Sequence, residues 1–370
     1  MSTFVAVTVV LETLAIVAGV VLVVGTLWSA MLTVVVPRSE RPYITRLHFR
    51  LVGGIANLIG RRISDPIRRD RLESRIAPFG LVTLPFVWAA HITVGFALMY
   101  RGLSLSSFRD AVILSGSALT TLGISTSDHT ITLILVVGEA LIGLGLVALM
   151  ISYLPTIYGA YTAREVAVAR LEVRAGRPPH PVTFLQRTSR IGWLGQMDLV
   201  WAEWEDWFLQ IEETHTTHTS LSYFRSAYHG RSWVVAAGTV LDTAALLYST
   251  VDVEVSPRAA LCLRSGFTTL GNIAEALGVK HPVDPHWPAQ PISLGREVYD
   301  SLCDELERQG LPLVEDRDKA WNDFCGWRVN YDASLYGLFD VLRVEPGEWF
   351  GAGSVTPSDL SRPDLRHAED

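Results

Sequence analysis

The chain has 370 residues, 49% of them apolar, with a mean hydropathy of +0.27 and a formal net charge of −7. It is too apolar for an ordinary soluble protein, and the acidic balance argues against nucleic acid as a main partner. The three cysteines, Cys262, Cys303 and Cys325, are far apart and lack metal-ligand spacing, so a disulfide framework or zinc ribbon is not expected. They fit a reducing, cytosolic setting for that half of the chain.

The apolar residues concentrate in the first 160 positions. From Phe4 to Val36 runs a continuous apolar stretch whose only formal charge is Glu12. It exceeds the roughly 20 residues that a spanning helix needs. It lacks the basic leader of a cleaved signal peptide and is too long for its apolar core. Residues 37–79 form a basic linker with ten arginines, among them Arg61, Arg62, Arg68, Arg69, Arg71 and Arg75, against the acids Glu40, Asp65, Asp70 and Glu73. Within it Tyr43, Ile44, Leu47, Leu51, Ile55, Leu58 and Ile59 recur at helical spacing. Two readings stand side by side: a helix lying on the inner leaflet, or one packing on the cytoplasmic domain.

A second apolar run, Gly80 to Tyr100, has the length of one crossing and carries His91 near its middle. Ser107 to Leu119 is compatible with a helix too short to span, and a polar segment, Ser115 to Thr126, continues from its last turns. A third run, Ile131 to Ala160, carries Glu139 near its start and Pro155 near its end. Short basic loops stay cytoplasmic. The N-terminus is therefore expected outside, the polar segment at the outer face, and Arg164, Arg170, Arg174 and Arg177 in the cytoplasm. Backbone between two spans cannot face lipid, because each unpaired peptide group costs several kcal/mol. It must line water or lie buried in protein, and carbonyls with threonine hydroxyls can there replace the water shell of a cation.

The stretch Arg109-Asp-Ala-Val-Ile-Leu-Ser-Gly-Ser-Ala-Leu-Thr-Thr-Leu-Gly123 resembles the pore helix and filter of two-helix bacterial potassium channels. That family shares an Ala early in the pore helix, a Ser four residues on, and a Thr-Thr-Val-Gly-Tyr-Gly filter. Ala111, Ser115, Thr120, Thr121 and Gly123 match without gaps. Leu122 stands for Val, Ile124 for Tyr and Ser125 for the second Gly, and Thr126 follows where the family has an acid. The single-glycine pattern is also similar to the filters of Trk/Ktr-type transporters, which carry four pore repeats per chain where this chain has one. The resemblance covers residues 80–160. It implies a passive, tetrameric channel for a monovalent cation, K+ in the family, with Thr120, Thr121, Leu122, Gly123, Ile124 and Ser125 as filter and Gly145 as the inner-helix hinge. Ser125 shifts the expectation from strict potassium selectivity toward cation conduction.

Charges in hydrocarbon cost about 2.5–3.5 kcal/mol each on insertion scales. Glu12 and Glu139 both fall at the depth of the pore helix. Glu139 is expected to sit behind the filter and bond to the pore helix with Ser115 in support, whereas His91 reads as a packing histidine. Thr268-Thr269-Leu270-Gly271 repeats the filter tetrapeptide, but no spanning run follows it, so it reads as part of a helix.

Beyond Gly176-Arg-Pro-Pro-His-Pro181, residues 182–345 show helical periodicity. Trp193, Trp201, Trp204, Trp207 and Phe208 form an aromatic stripe expected to be core. Trp233–Val251 is apolar, yet Asp242 in its middle favours a buried helix over a fourth span. His215 and His218, after Glu212 and Glu213, lack the spacing of a helical zinc site and read as a solvated polar face. Gly143-Leu-Gly145 lies inside a spanning run rather than after a strand, so it is no dinucleotide fingerprint.

The expected fold is an all-α membrane protein: an N-terminal transmembrane helix (1–36), the basic linker (37–79), a helix–pore loop–helix channel unit (80–160), a helical cytoplasmic domain (161–345) and a disordered tail (346–370). Membrane lipid and three further copies of the chain are the expected partners; no cofactor or catalytic constellation is expected. A membrane-anchored scaffold or receptor with a non-conducting pore-like loop is the alternative, and a membrane-bound enzyme ranks last.

Overall fold

The computed structural model describes residues 2–36, 42–60, 62–63, 65–103, 107–228 and 230–351. Among them the regular structure is helical, with one isolated antiparallel bridge between Val251 and Leu313. The chain divides into two compact units, Met1–Gly159 and Ala160–Asp370.

The first unit is built from α1 (Ser2–Val34), α2 (Tyr43–Gly60), α3 (Pro66–Gly102), α4 (Phe108–Leu119) and the first part of α5 (Thr130–Ala175). Three stretches are long and apolar enough to cross a membrane: Ala6–Val34, Leu72–Gly102 and Thr130–Ala175. Most of the apolar surface of α1 and α5 is exposed, Val21, Val24, Ile134, Leu141 and Val147 among it. In a chain with such spans these are the residues a bilayer covers.

α1 lies along α3 through glycines. A Cβ on Gly19 would overlap the Gly95 carbonyl oxygen, and one on Gly102 would meet the Glu12 carbonyl and the Ile16 side chain. Bare backbone lets the helices approach closely where lipid supplies no hydrophobic drive. Val23, Ile92, Phe96, Ala97, Ala111 and Leu114 then close a core between α1, α3 and α4.

α3 begins at Pro66, well before the apolar run that starts at Gly80. Proline at the first helical position forfeits no hydrogen bond and presets φ, and residues 66–79 at the end of the linker are helical too. Pro78 and Pro85 lie inside this helix, and each removes a main-chain donor.

The second unit holds the end of α5, then α6 (Pro181–Arg190), α7 (Asp198–Thr217), a 3₁₀ turn (Thr219–Tyr223), α8 (Trp233–Ser249), α9 (Pro257–Ala276), α10 (Arg296–Arg308), α11 (Arg317–Leu342) and α12 (Gly347–Gly351). Apolar α8 is its central element. The helix is buried on every side and packs against α6, α9 and α11. Its small residues admit close neighbours; Gly238 faces the Phe350 ring and Leu335. Asp242 is fully buried yet fully partnered. It accepts from Arg328 Nη1 at 2.6 Å, Tyr331 Oη at 2.6 Å and Trp349 Nε1 at 2.5 Å. Arg328 also donates to Asp332 at 2.8 Å. Burial opposes the Arg328 charge, but Asp242 and Asp332 outweigh it and hold its pKa well above the ordinary value.

Three details differ from the sequence reading. Trp193 is 51% exposed, because it lies in the turn between α6 and α7 rather than on the helix whose Trp201, Trp204, Trp207 and Phe208 are buried. The described start of the 346–370 stretch is helical, with Trp349 and Phe350 buried in the core; Ser354 to Asp370 lie outside the described residues. His215 is fully buried instead of solvated. Its Nε2 lies 3.2 Å from Arg164 Nη1, and Arg164 also donates to the carbonyls of Leu221 and Phe224 at 3.2 and 2.6 Å. The repeated tetrapeptide Thr268–Gly271 lies within α9.

Candidate functional site

α4 starts where Ser107 accepts a hydrogen bond from the Arg109 amide, with Asp110 in its first turn. Both features favour a helix N-terminus. It buries Ala111, Leu114, Ser115, Ser117, Ala118 and Leu119. The helix ends as Thr120 N, Thr121 N and Leu122 N donate to the carbonyls of Gly116, Ala118 and Ser117 at 3.2, 3.0 and 2.9 Å.

The chain then turns through residues 120–125. Thr121 and Gly123, two residues apart, have φ of 54° and 73°. Glycine takes that conformation freely, whereas a threonine is held there at a cost of roughly 1–2 kcal/mol. Ser125 carries no such φ; the left-handed positions fall at Thr121 and Gly123 instead. Ser117 pins the returning strand, because its hydroxyl accepts from Ser125 N at 3.1 Å and lies 3.3 Å from Ser125 O. Leu122 and Ile124 are 65% and 70% exposed. On a single chain the segment therefore stands open, its side chains uncovered.

Behind α4 lies Glu139 of α5, with no exposed surface. Ser115 Oγ donates to Oε1 at 2.5 Å and Tyr100 Oη to Oε2 at 2.8 Å. Ser115 is also 3.1 Å from the Thr93 carbonyl. One carboxylate thus ties α3, α4 and α5 together directly behind the loop. Expensive in hydrocarbon when bare, it is buried here with a donor on each oxygen.

One turn further along α5, Gly143 touches the α4 backbone: a Cβ there would overlap the Leu119 carbonyl oxygen. Gly145 is exposed, has open space where a Cβ would sit, and the helix runs unbroken through it. The glycine in contact with α4 is therefore Gly143. Glu12 is half-buried, its own carbonyl close to Gly102. His91 Nδ1 lies 2.7 Å from the Val87 carbonyl of its own helix.

The sequence assigns no site role to Tyr100, Thr93 or Ser117, and it marks Gly143 only as part of the Gly143-Leu-Gly145 run. Tyr100 ends the second apolar run and Glu139 lies near the start of the third, so equal depth was the available signal. Gly143 carries no mark that separates it from Gly138 and Gly145. Among the described residues, no three His, Cys, Asp or Glu side chains converge as a metal site. No protein-family model matches this chain, and neither a curated protein nor a solved structure is significantly similar to it.

Proposed function

We propose that four copies of this chain form a potassium-channel-like channel for monovalent cations in the bacterial inner membrane, with the N-terminus outside and the second unit in the cytoplasm. α3, α4, the 120–125 segment and α5 supply one quarter of the pore, α1 is an added outer helix, and the second unit serves assembly or regulation. The observation that carries this reading is the exposed segment with left-handed Thr121 and Gly123, presented by a short helix between two spans. In such an exposed segment, main-chain carbonyls of Thr120–Ile124 gathered from several copies would offset the dehydration of a cation as it enters. One such segment cannot enclose a path, and its uncovered Leu122 and Ile124 are what neighbouring copies would cover. With Ser125 in place of a second glycine, discrimination among monovalent cations is expected to be looser than in the family.

Purified protein in liposomes under a potassium gradient tests this. Cation flux from a tetramer is expected, with Thr121→Ala or Gly123→Ala altering selectivity or abolishing flux. A monomer or dimer that passes no cation would overturn the channel and favour an anchored scaffold. Flux whose selectivity ignores both substitutions would place the ion path elsewhere.

A further inference from the structure

α2 is fastened on one side and bare on the other. Its inward residues hold it to the spans: Thr45 Oγ1 lies 2.9 Å from Thr33 Oγ1 and 3.4 Å from Ser29 Oγ of α1. His48 Nε2 lies 2.9 Å from the Gly80 carbonyl and 3.1 Å from Thr83 Oγ1 of α3. The Phe49 ring fills the space that a side chain at position 80 would need. Thr33 is next to the last residue of α1, and Gly80 lies in the first third of the Leu72–Gly102 span. The helix is therefore fixed at the level where two spans leave the hydrocarbon.

The opposite face carries Tyr43, Leu47, Leu51, Ile55 and Leu58, each exposed, at spacings of three and four residues. Arg46 and Arg50 are exposed along one edge of this stripe. No acidic residue occurs anywhere between Tyr43 and Gly60. From these observations we infer that α2 is a lipid-binding helix, its Leu47–Leu51–Leu58 stripe set into the membrane interface and Arg46 and Arg50 paired with anionic headgroups. An apolar face with basic residues at its border is what an interfacial helix requires. Tyr43 stands at the helix end as an interfacial aromatic. Charge complementarity selects anionic lipid over a neutral surface. The inference rests on the three spans and not on ion conduction.

The test uses the full chain in vesicles with a bimane label on Leu51→Cys. The native cysteines are buried, and the unsubstituted protein supplies the labelling background. In phosphatidylcholine vesicles containing phosphatidylglycerol, nitroxide placed high on the lipid acyl chain should quench the label, and aqueous iodide should not. Removing the phosphatidylglycerol, or substituting R46Q and R50Q together, should weaken lipid quenching; near an anionic surface each arginine is worth about 1 kcal/mol, roughly fivefold. Quenching by iodide alone would show a helix in water and overturn the inference. Protection from both quenchers would show a face covered by protein and overturn it as well. Lipid quenching indifferent to both phosphatidylglycerol and the arginines would retain the interface and overturn anionic recognition.

Discussion

Gly143 of α5 lies against the main chain of Leu119, the last residue of α4. No side chain separates the two backbones immediately before the left-handed Thr121. The loop's position therefore depends on a glycine in a different helix, with Glu139 holding the same helix pair one turn away.

Gly143→Ala would drive a methyl group into the Leu119 carbonyl, which backbone cannot avoid by a rotamer change. A destabilisation of about 1–3 kcal/mol is expected, the usual cost of overpacking. Gly145→Ala meets nothing within 4 Å and should be neutral or stabilising by up to about 1 kcal/mol, as alanine favours the helix. Thermal unfolding in detergent separates the two. Equal effects would mean that the Gly143–Leu119 contact does not exist.

Glu139→Leu leaves the Tyr100 hydroxyl without its acceptor and deprives Ser115 of its shorter bond. A buried donor left unpaired costs about 1–3 kcal/mol. Glu139→Gln keeps an acceptor for one hydroxyl and should lose less. If Tyr100→Phe is added to Glu139→Leu, the second change should cost little, because the partner has already gone. Full additivity in this double-mutant cycle would show that the two side chains do not interact.

The spans were legible because hydropathy is a local property, and α4 because Ser107 to Leu119 is a helix-compatible stretch, too short to span, that runs into a polar segment. The helical reading of Thr268–Gly271 followed from the lack of any spanning run after it. Long-range partners were not legible. His215 reads as polar surface until Arg164, 51 positions earlier, is seen beside it. Likewise, Trp349 belongs to a stretch whose neighbours look like tail, and only its bond to Asp242, 107 residues away, gives it a place in the core. The start of α3 was missed for another reason: hydropathy marks where lipid would lie, not where main-chain hydrogen bonds begin.

Burial, and then the adjacent Arg164 guanidinium, hold His215 well below the ordinary histidine pKa. The neutral ring lies 5.1 Å from the Trp233 ring centroid, with Nδ1 3.0 Å from Thr214 Oγ1. In the unfolded chain the same histidine binds a proton near pH 6.5. Below that pH, and down to the depressed folded value, the unfolded state holds more protons, so stability must fall on acidification. The slope attributable to this group is at most about 1.4 kcal/mol per pH unit. Urea unfolding at pH 7.5 and 5.5 should show the loss, and His215→Gln should reduce the difference between the two. A variant with the full parental pH dependence would show that His215 plays no part in it.

Arg328, Asp242 and Asp332 form a charged cluster with almost no exposed surface, closed by Tyr331 and Trp349. Removing one member strands another without solvent, so Arg328→Met should cost about 3–5 kcal/mol. Adding Asp242→Asn to that variant should recover part of the loss, since the stranded carboxylate disappears. Trp349→Phe keeps most of the ring volume but deletes one donor to Asp242, and the smaller cost of about 1–3 kcal/mol is expected because Arg328 and Tyr331 still serve that carboxylate. Chain termination after Glu345 removes Trp349 and Phe350 together and opens the space beside Gly238. Its cost should exceed that of Trp349→Phe by the burial of two aromatic side chains, several kcal/mol in all. Denaturant midpoints for the four variants give the order directly. Should the truncated chain unfold at the parental midpoint, α12 would not be part of the folded core.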